Sequence, residues 1–149
     1  MKLSESIKIN KPLEIVWKTI TDFNNCVDFI ESIKEIEILN EPKNTLVGFK
    51  WKETREMFGK IATETMWITD FKENDFYQTC SESHGSIYFS RLSIKSLGNN
   101  TVLTMSFSAK AQTLIAKVLS RCMGFVIKGA MKKALLKDLN DIKNHLEPH

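Results

Sequence analysis

Gly48–Gly59 reads GFKWKETREMFG, and its alternation decides the fold. Taken two at a time, Phe49, Trp51, Glu53, Arg55 and Met57 fall on one face, and Lys50, Lys52, Thr54 and Glu56 on the other. That is the period of a strand with one wet face. The second set is uniformly polar, so Glu53 and Arg55 are placed inward with Trp51. Charges on an inward face cost several kcal/mol per ion unless they pair. Residues two apart on a strand are same-face neighbours, so Glu53 and Arg55 can meet, with Glu64 on the next strand as a second partner for Arg55. Two readings stand: a closed ion-pair network that steadies the sheet, or an Arg55 that offers its guanidinium to a carboxylate, phosphate or enolate of a ligand.

Working outward, Ile61–Phe71 continues as strand, and the set Glu64, Met66, Ile68, Asp70 is the favoured inward one, because the threonines at 63, 65 and 69 suit an exposed antiparallel face. Lys72–Asp75 is a hairpin turn, Phe76–Ser83 and Ser86–Lys95 are two more strands, and Gly98-Asn99-Asn100 is a turn before the strand Thr101–Ala109. Towards the N-terminus, Ser4–Asn10 alternates as a strand. Pro12 then opens an amphipathic helix carrying Leu13, Val16, Trp17, Ile20 and Phe23. A short turn around Val27–Ile30 leads into the strand Ile33–Leu39, and Glu41-Pro42-Lys43-Asn44 separates it from the opening stretch. From Gln112 to Glu147 the period is helical. Ile115, Val118, Leu119, Cys122 and Val126 form one stripe, and Met131, Leu135, Leu139, Ile142 and Leu146 a second, rotated from it. One straight helix cannot bury both on one surface, so a kink, a break or two successive helices are expected near Gly124 and Gly129.

The chain has 149 residues, 42% of them hydrophobic, which predicts one soluble domain over residues 1–149 with a self-sufficient core. It has no apolar run long enough to span a bilayer, and its polar N-terminus does not read as a signal peptide, so a cytoplasmic location is expected. Cys26, Cys80 and Cys122 are odd in number and far apart, and read as buried free thiols. His84, His145 and His149 have no ligand spacing, so neither metal nor cofactor is expected. There is no phosphate-cradling glycine loop, no GxSxG and no nucleophile arrangement, which removes hydrolase and nucleotide-dependent readings. The net charge of +3 is uneven: the segment from Lys110 onward carries +5 and the rest −2. That basic helix reads first as a solvated face. No nucleic acid is expected, because no aromatic stacking platform accompanies the charge, and an anionic membrane or acidic partner is the weaker alternative.

The order strand, helix, short helix, about six consecutive strands and long helix resembles the START-related helix-grip superfamily (SRPBCC), in particular its polyketide cyclase/dehydrase and lipid-transport branch. The residues that carry the resemblance are Lys11-Pro12-Leu13-Glu14-Ile15-Val16-Trp17 with Asp22-Phe23, the Gly48–Gly59 strand pair, and Asp138-Leu139-Asn140-Asp141-Ile142-Lys143. The resemblance implies an α+β helix-grip fold: a curved antiparallel sheet of about six or seven strands wrapped around a long C-terminal helix, with two short helices after the first strand. It also implies a hydrophobic cavity between sheet and helix. Trp51, Met57, Met66, Leu103 and Met105 are expected to line or approach that cavity, as are Phe107, Met123, Ile127 and Met131; each also fits plain core.

Three functions follow in order. The first is a carrier or sensor of a small hydrophobic, lipid-like or aromatic molecule. The second is a polyketide cyclase or aromatase, with Glu53 or Glu64 as base and Arg55 or Tyr88 stabilising an oxyanion. The third is a toxin-like or membrane-associated interaction protein. Tyr88 also reads as an ordinary strand aromatic with its hydroxyl at the rim.

Overall fold

The computed structural model of the chain describes residues 2–57, 59–83, 86–111 and 114–148, with the backbone alone at Met57, Ser83, Ala111 and 114–127. Strand β1 (Lys2–Ile9) precedes helix α1 (Leu13–Ile20) and a 3-10 turn at Cys26–Asp28. Then come β2 (Ile33–Asn40), β3 (Lys50–Met57), β4 (Lys60–Lys72), β5 (Phe76–Ser83), β6 (Ser86–Leu97), β7 (Asn100–Ala111) and helix α2 (Leu114–Leu146). The strands form one antiparallel sheet in the order β1-β7-β6-β5-β4-β3-β2. Strands β2 to β7 are a meander of hairpins, and β1 pairs with the last of them, which brings the start of the chain beside the strand that feeds α2. This is the helix-grip arrangement. The second expected short helix is reduced to the 3-10 turn, and Phe23 lies past the end of α1, although it is buried.

Local chemistry explains the turns and bends. Leu97 pairs with Asn100, so Gly98 and Asn99 make a two-residue turn, with glycine at a φ of +63° that residues with a side chain rarely adopt. Register shifts interrupt β2–β3 and the β4–β5 pair between Ile68 and Asp70. Bulges of this kind bend the bulged strand and re-aim the side chains beyond them. The expected inward set of β4 is therefore corrected at its end: Ile68 is buried, but Asp70 is exposed and Phe71 packs on the core instead.

Helix α1 buries Val16, Trp17 and Ile20, the face its three-and-four spacing specifies. Helix α2 packs against β1 and β7, where Leu135, Leu139, Ile142 and Leu146 join Ile9 and Leu103 in the core. Of the expected kink, break or pair of helices near Gly124 and Gly129, the break and the pair are corrected, since one helix is continuous from Leu114 to Leu146. A glycine inside a helix costs only about 1 kcal/mol, and each buried leucine or isoleucine returns about 1.5–3 kcal/mol. The first stripe's side chains, Cys122 included, lie outside the described residues. The end of α2 is tied to β1: Asn10 Nδ2 donates to Glu147 Oε1 at 2.8 Å and Lys143 Nζ to the Lys8 carbonyl at 2.6 Å. Several of the helix's bases are paired, Lys132 with Glu5, Lys137 with Glu31 and Asp141, and Lys143 with Glu147. Among the described residues, no helix is long and apolar enough to cross a membrane.

Candidate functional site

A cavity of about 400 Å³ lies between the inner face of the sheet, α1 and α2. Its wall is mainly apolar. Ile20, Phe23, Phe29 and Ile30 come from α1 and the segment after it, Trp51 from β3, Met66 from β4, Met105 and Phe107 from β7, and Met131 and Leu135 from α2. Phe23 anchors one side, with ring centroids 4.8 Å from Trp51, 4.9 Å from Phe49 and 5.3 Å from Tyr77. Strand β5 contributes Tyr77, Thr79 and Ser81 at period two, so a band of hydroxyl-bearing side chains crosses the apolar wall.

The charged part of the wall is built around Arg55. Its Nε donates to Glu53 Oε2 at 3.0 Å and its Nη1 to Asp138 Oδ2 at 2.8 Å. Trp51 Nε1 donates to the other Glu53 oxygen at 3.3 Å. The contact between neighbours on β3 is therefore made. The second partner is corrected: it is Asp138 of α2, not Glu64. The register explains this, because Arg55 stands opposite Ala62, whereas Glu64 stands opposite Glu53. Asp138 is only 5% exposed, and its Oδ1 is buried without a hydrogen-bond partner among the described residues. Arg55 also borders a shallower outer pocket with Lys34, Glu56, Lys133 and Lys137, so it stands at the boundary between the cavity and the surface.

Electrostatics follow from this crowding. Burial pushes the Asp138 carboxyl above the usual range against the pull of Arg55, with Glu53 adding to the rise. Burial opposes the Arg55 cation, but Asp138 and Glu53 more than offset it and hold the guanidinium protonated. The Cys26 thiol, which lines the cavity, is pushed up to about 12 by burial and then by the Glu53 charge. The Tyr77 hydroxyl is raised by burial, with Cys26, Glu53 and Asp138 adding.

Of the expected lining residues, the structure brings Trp51, Glu53, Arg55, Glu64, Met66, Tyr88, Met105, Phe107 and Met131 to this cavity. Tyr88 stacks on Phe107 with ring centroids 5.8 Å apart. Leu103 is corrected: it shares the Met105 face of β7 but is fully buried in solid core away from the cavity. The side chains of Met57, Met123 and Ile127 lie outside the described residues. Asp138 was missed, although at 100° per residue it lies on the edge of the apolar stripe of α2. A carboxylate at that position is the signal that points to it. Tyr77, Thr79 and Cys26 are further lining residues that alternation alone does not single out.

The fold of other solved proteins matches closely. A protein of Thermus thermophilus superposes with a TM-score of 0.81 at 10% identity, covering 99% of this chain and 97% of that one. The Zhui aromatase/cyclase of a Streptomyces species gives 0.77 at 17% identity, covering 99% and 93%. A START superfamily protein of Mycobacterium smegmatis gives 0.67 at 17% identity, covering 91% and 97%. No curated protein matches this sequence. The family model described as polyketide cyclase/dehydrase and lipid transport matches residues 1–147, nearly the whole chain. With the helix-grip fold and the cavity between sheet and helix in place, the chain belongs to this polyketide cyclase/dehydrase and lipid-transport family.

Proposed function

We propose that this protein binds and carries a small hydrophobic molecule in the cavity between its sheet and α2. The observation that carries the reading is the cavity itself. Its volume of about 400 Å³ lies within the range of small-molecule sites, and its wall is mainly apolar, crossed by the hydroxyl band of β5 and the charged groups around Arg55. Met66, Met105 and Met131 adapt to ligands of varied outline. Native mass spectrometry with lipid-like and aromatic probes is expected to show one-to-one complexes. Ala134→Trp fills the space from α2 and is expected to abolish them. Complexes that survive this substitution would place the ligand elsewhere and overturn the reading.

A cyclase reading draws on one specific feature: Arg55 Nη2 has no hydrogen-bond partner among the described residues and so is available to a developing oxyanion. Its weight is lessened by the two carboxylates that already neutralise the same guanidinium. Turnover of a poly-keto substrate that is lost in Arg55→Ala but kept in Tyr88→Phe would favour the enzyme. Binding without turnover favours the carrier.

A further inference from the structure

The ionisable groups of the cavity wall do not balance. Among the described residues they are three carboxylates, Glu53, Glu64 and Asp138, and a single cation, Arg55. That cation is already shared between two of the carboxylates, at 3.0 Å and 2.8 Å. Glu64 faces Glu53 across β3 and β4 and makes no hydrogen bond or ion pair with a described residue. Asp138, only 5% exposed, keeps one oxygen without a donor. A buried carboxylate oxygen left in this state is costly, and a group that donates to it is stabilising. The same excess of negative charge is felt by its neighbours, since Glu53 adds to burial in raising the Cys26 thiol, and Glu53 and Asp138 do so for the Tyr77 hydroxyl.

An entering ligand meets this wall with its polar end. A carboxylate has no proton to donate when ionised, so it leaves Asp138 Oδ1 without a donor, and it adds to the negative charge; Arg55 Nη2 can donate to it, but the charge of that guanidinium is already shared between Glu53 and Asp138. A hydroxyl supplies one donor and no charge. An ammonium supplies three donors and one positive charge, which answers both the orphaned oxygen and the imbalance. We infer that the ligand of this cavity is an amphiphile ending in a protonated amine, which donates to Asp138 Oδ1 and lies against Glu64, with its apolar part along Trp51, Met66 and Phe107. The inference rests on the carrier reading and adds the chemical class of the cargo.

Calorimetric titration of the full chain at neutral pH with octylamine, octanol and octanoate tests it, because the three probes share one apolar tail. Octylamine is expected to bind most tightly and octanoate most weakly, at least about tenfold apart. Glu64→Gln breaks no bond to a described residue and is expected to leave the unfolding midpoint unchanged. It is expected to weaken octylamine several-fold while leaving octanol within about twofold, and Asp138→Asn is expected to weaken octylamine more than octanol. Octanoate binding as tightly as octylamine, or octylamine indifferent to both substitutions, would overturn the inference while leaving the carrier reading intact. Failure of all three probes to bind would overturn the carrier reading, and the inference with it.

Discussion

The interior of this protein has a filled end and a hollow end, and α2 and β7 run through both. At the filled end Leu139 of α2 joins Leu103 of β7 and Ile9 of β1, and all three are 0% exposed. At the hollow end the same face of β7 carries Met105 and Phe107, and the same side of α2 carries Met131, Leu135 and Asp138 around the cavity. Side-chain type accounts for part of the difference. Branched aliphatics occur at both ends, Ile20, Ile30 and Leu135 among the cavity wall, but only at the hollow end are they interleaved with Met66, Met105, Met131 and the charged groups around Arg55, which line space without filling it. At the hollow end a polar framework ties sheet to helix through Arg55.

Substitutions at the two ends break or sharpen that contrast. The largest effect is expected from Arg55→Ala, which leaves Glu53 and Asp138 buried without their cation. Urea unfolding is expected to show a loss of about 3–5 kcal/mol, and Asp138→Asn in the same background is expected to recover part of it. A loss under about 1 kcal/mol would mean that the triad does not hold the hollow end together. Next comes Leu139→Ala at the filled end, expected to cost about 3 kcal/mol through lost burial and a new void. Met66→Ala at the hollow end is expected to cost about 1–2 kcal/mol, because Met66 is half-buried beside space that is already open. Equal losses at Leu139 and Met66 would show the two ends to be equally packed.

The contrast also marks what was legible in the sequence. Strands declare themselves by period two, and the pair Glu53 and Arg55 stands out because charges on an inward parity need a reason. Alternation reports the face of a residue but not its depth along the strand, so Leu103 and Met105 read alike although one is core and the other cavity wall. The partner of Arg55 is hidden for another reason. Asp138 lies 83 residues away along the chain, and only the docking of α2 against the sheet brings the two together. Asp70 is misplaced by alternation because a bulge leaves no mark in composition. The glycines of α2 do not end the helix, since a helical glycine costs only about 1 kcal/mol.

The smallest expected effect is a pH dependence peculiar to the hollow end. In the unfolded chain the Cys26 thiol loses its proton near its ordinary value of 9, whereas in the folded protein burial and the Glu53 charge hold the proton up to about 12. Above pH 9 the unfolded state therefore gains by ionising and the native state does not, so stability is full below 9 and falls as the pH rises towards 12. At pH 10 the Cys26 share of that loss is about 1 kcal/mol, one unit of proton linkage. Unfolding midpoints at neutral pH and at pH 10 are expected to differ less in Cys26→Ala than in the wild-type chain by that amount. Glu53→Gln, which removes the charge but keeps the buried thiol, is expected to leave the difference between neutral pH and pH 10 nearly as in the wild-type chain, because burial is the larger cause of the rise. A slope in Cys26→Ala identical to that of the wild-type chain would mean that the folded protein does not hold the Cys26 proton, and that the thiol is not buried in the wall of the hollow end.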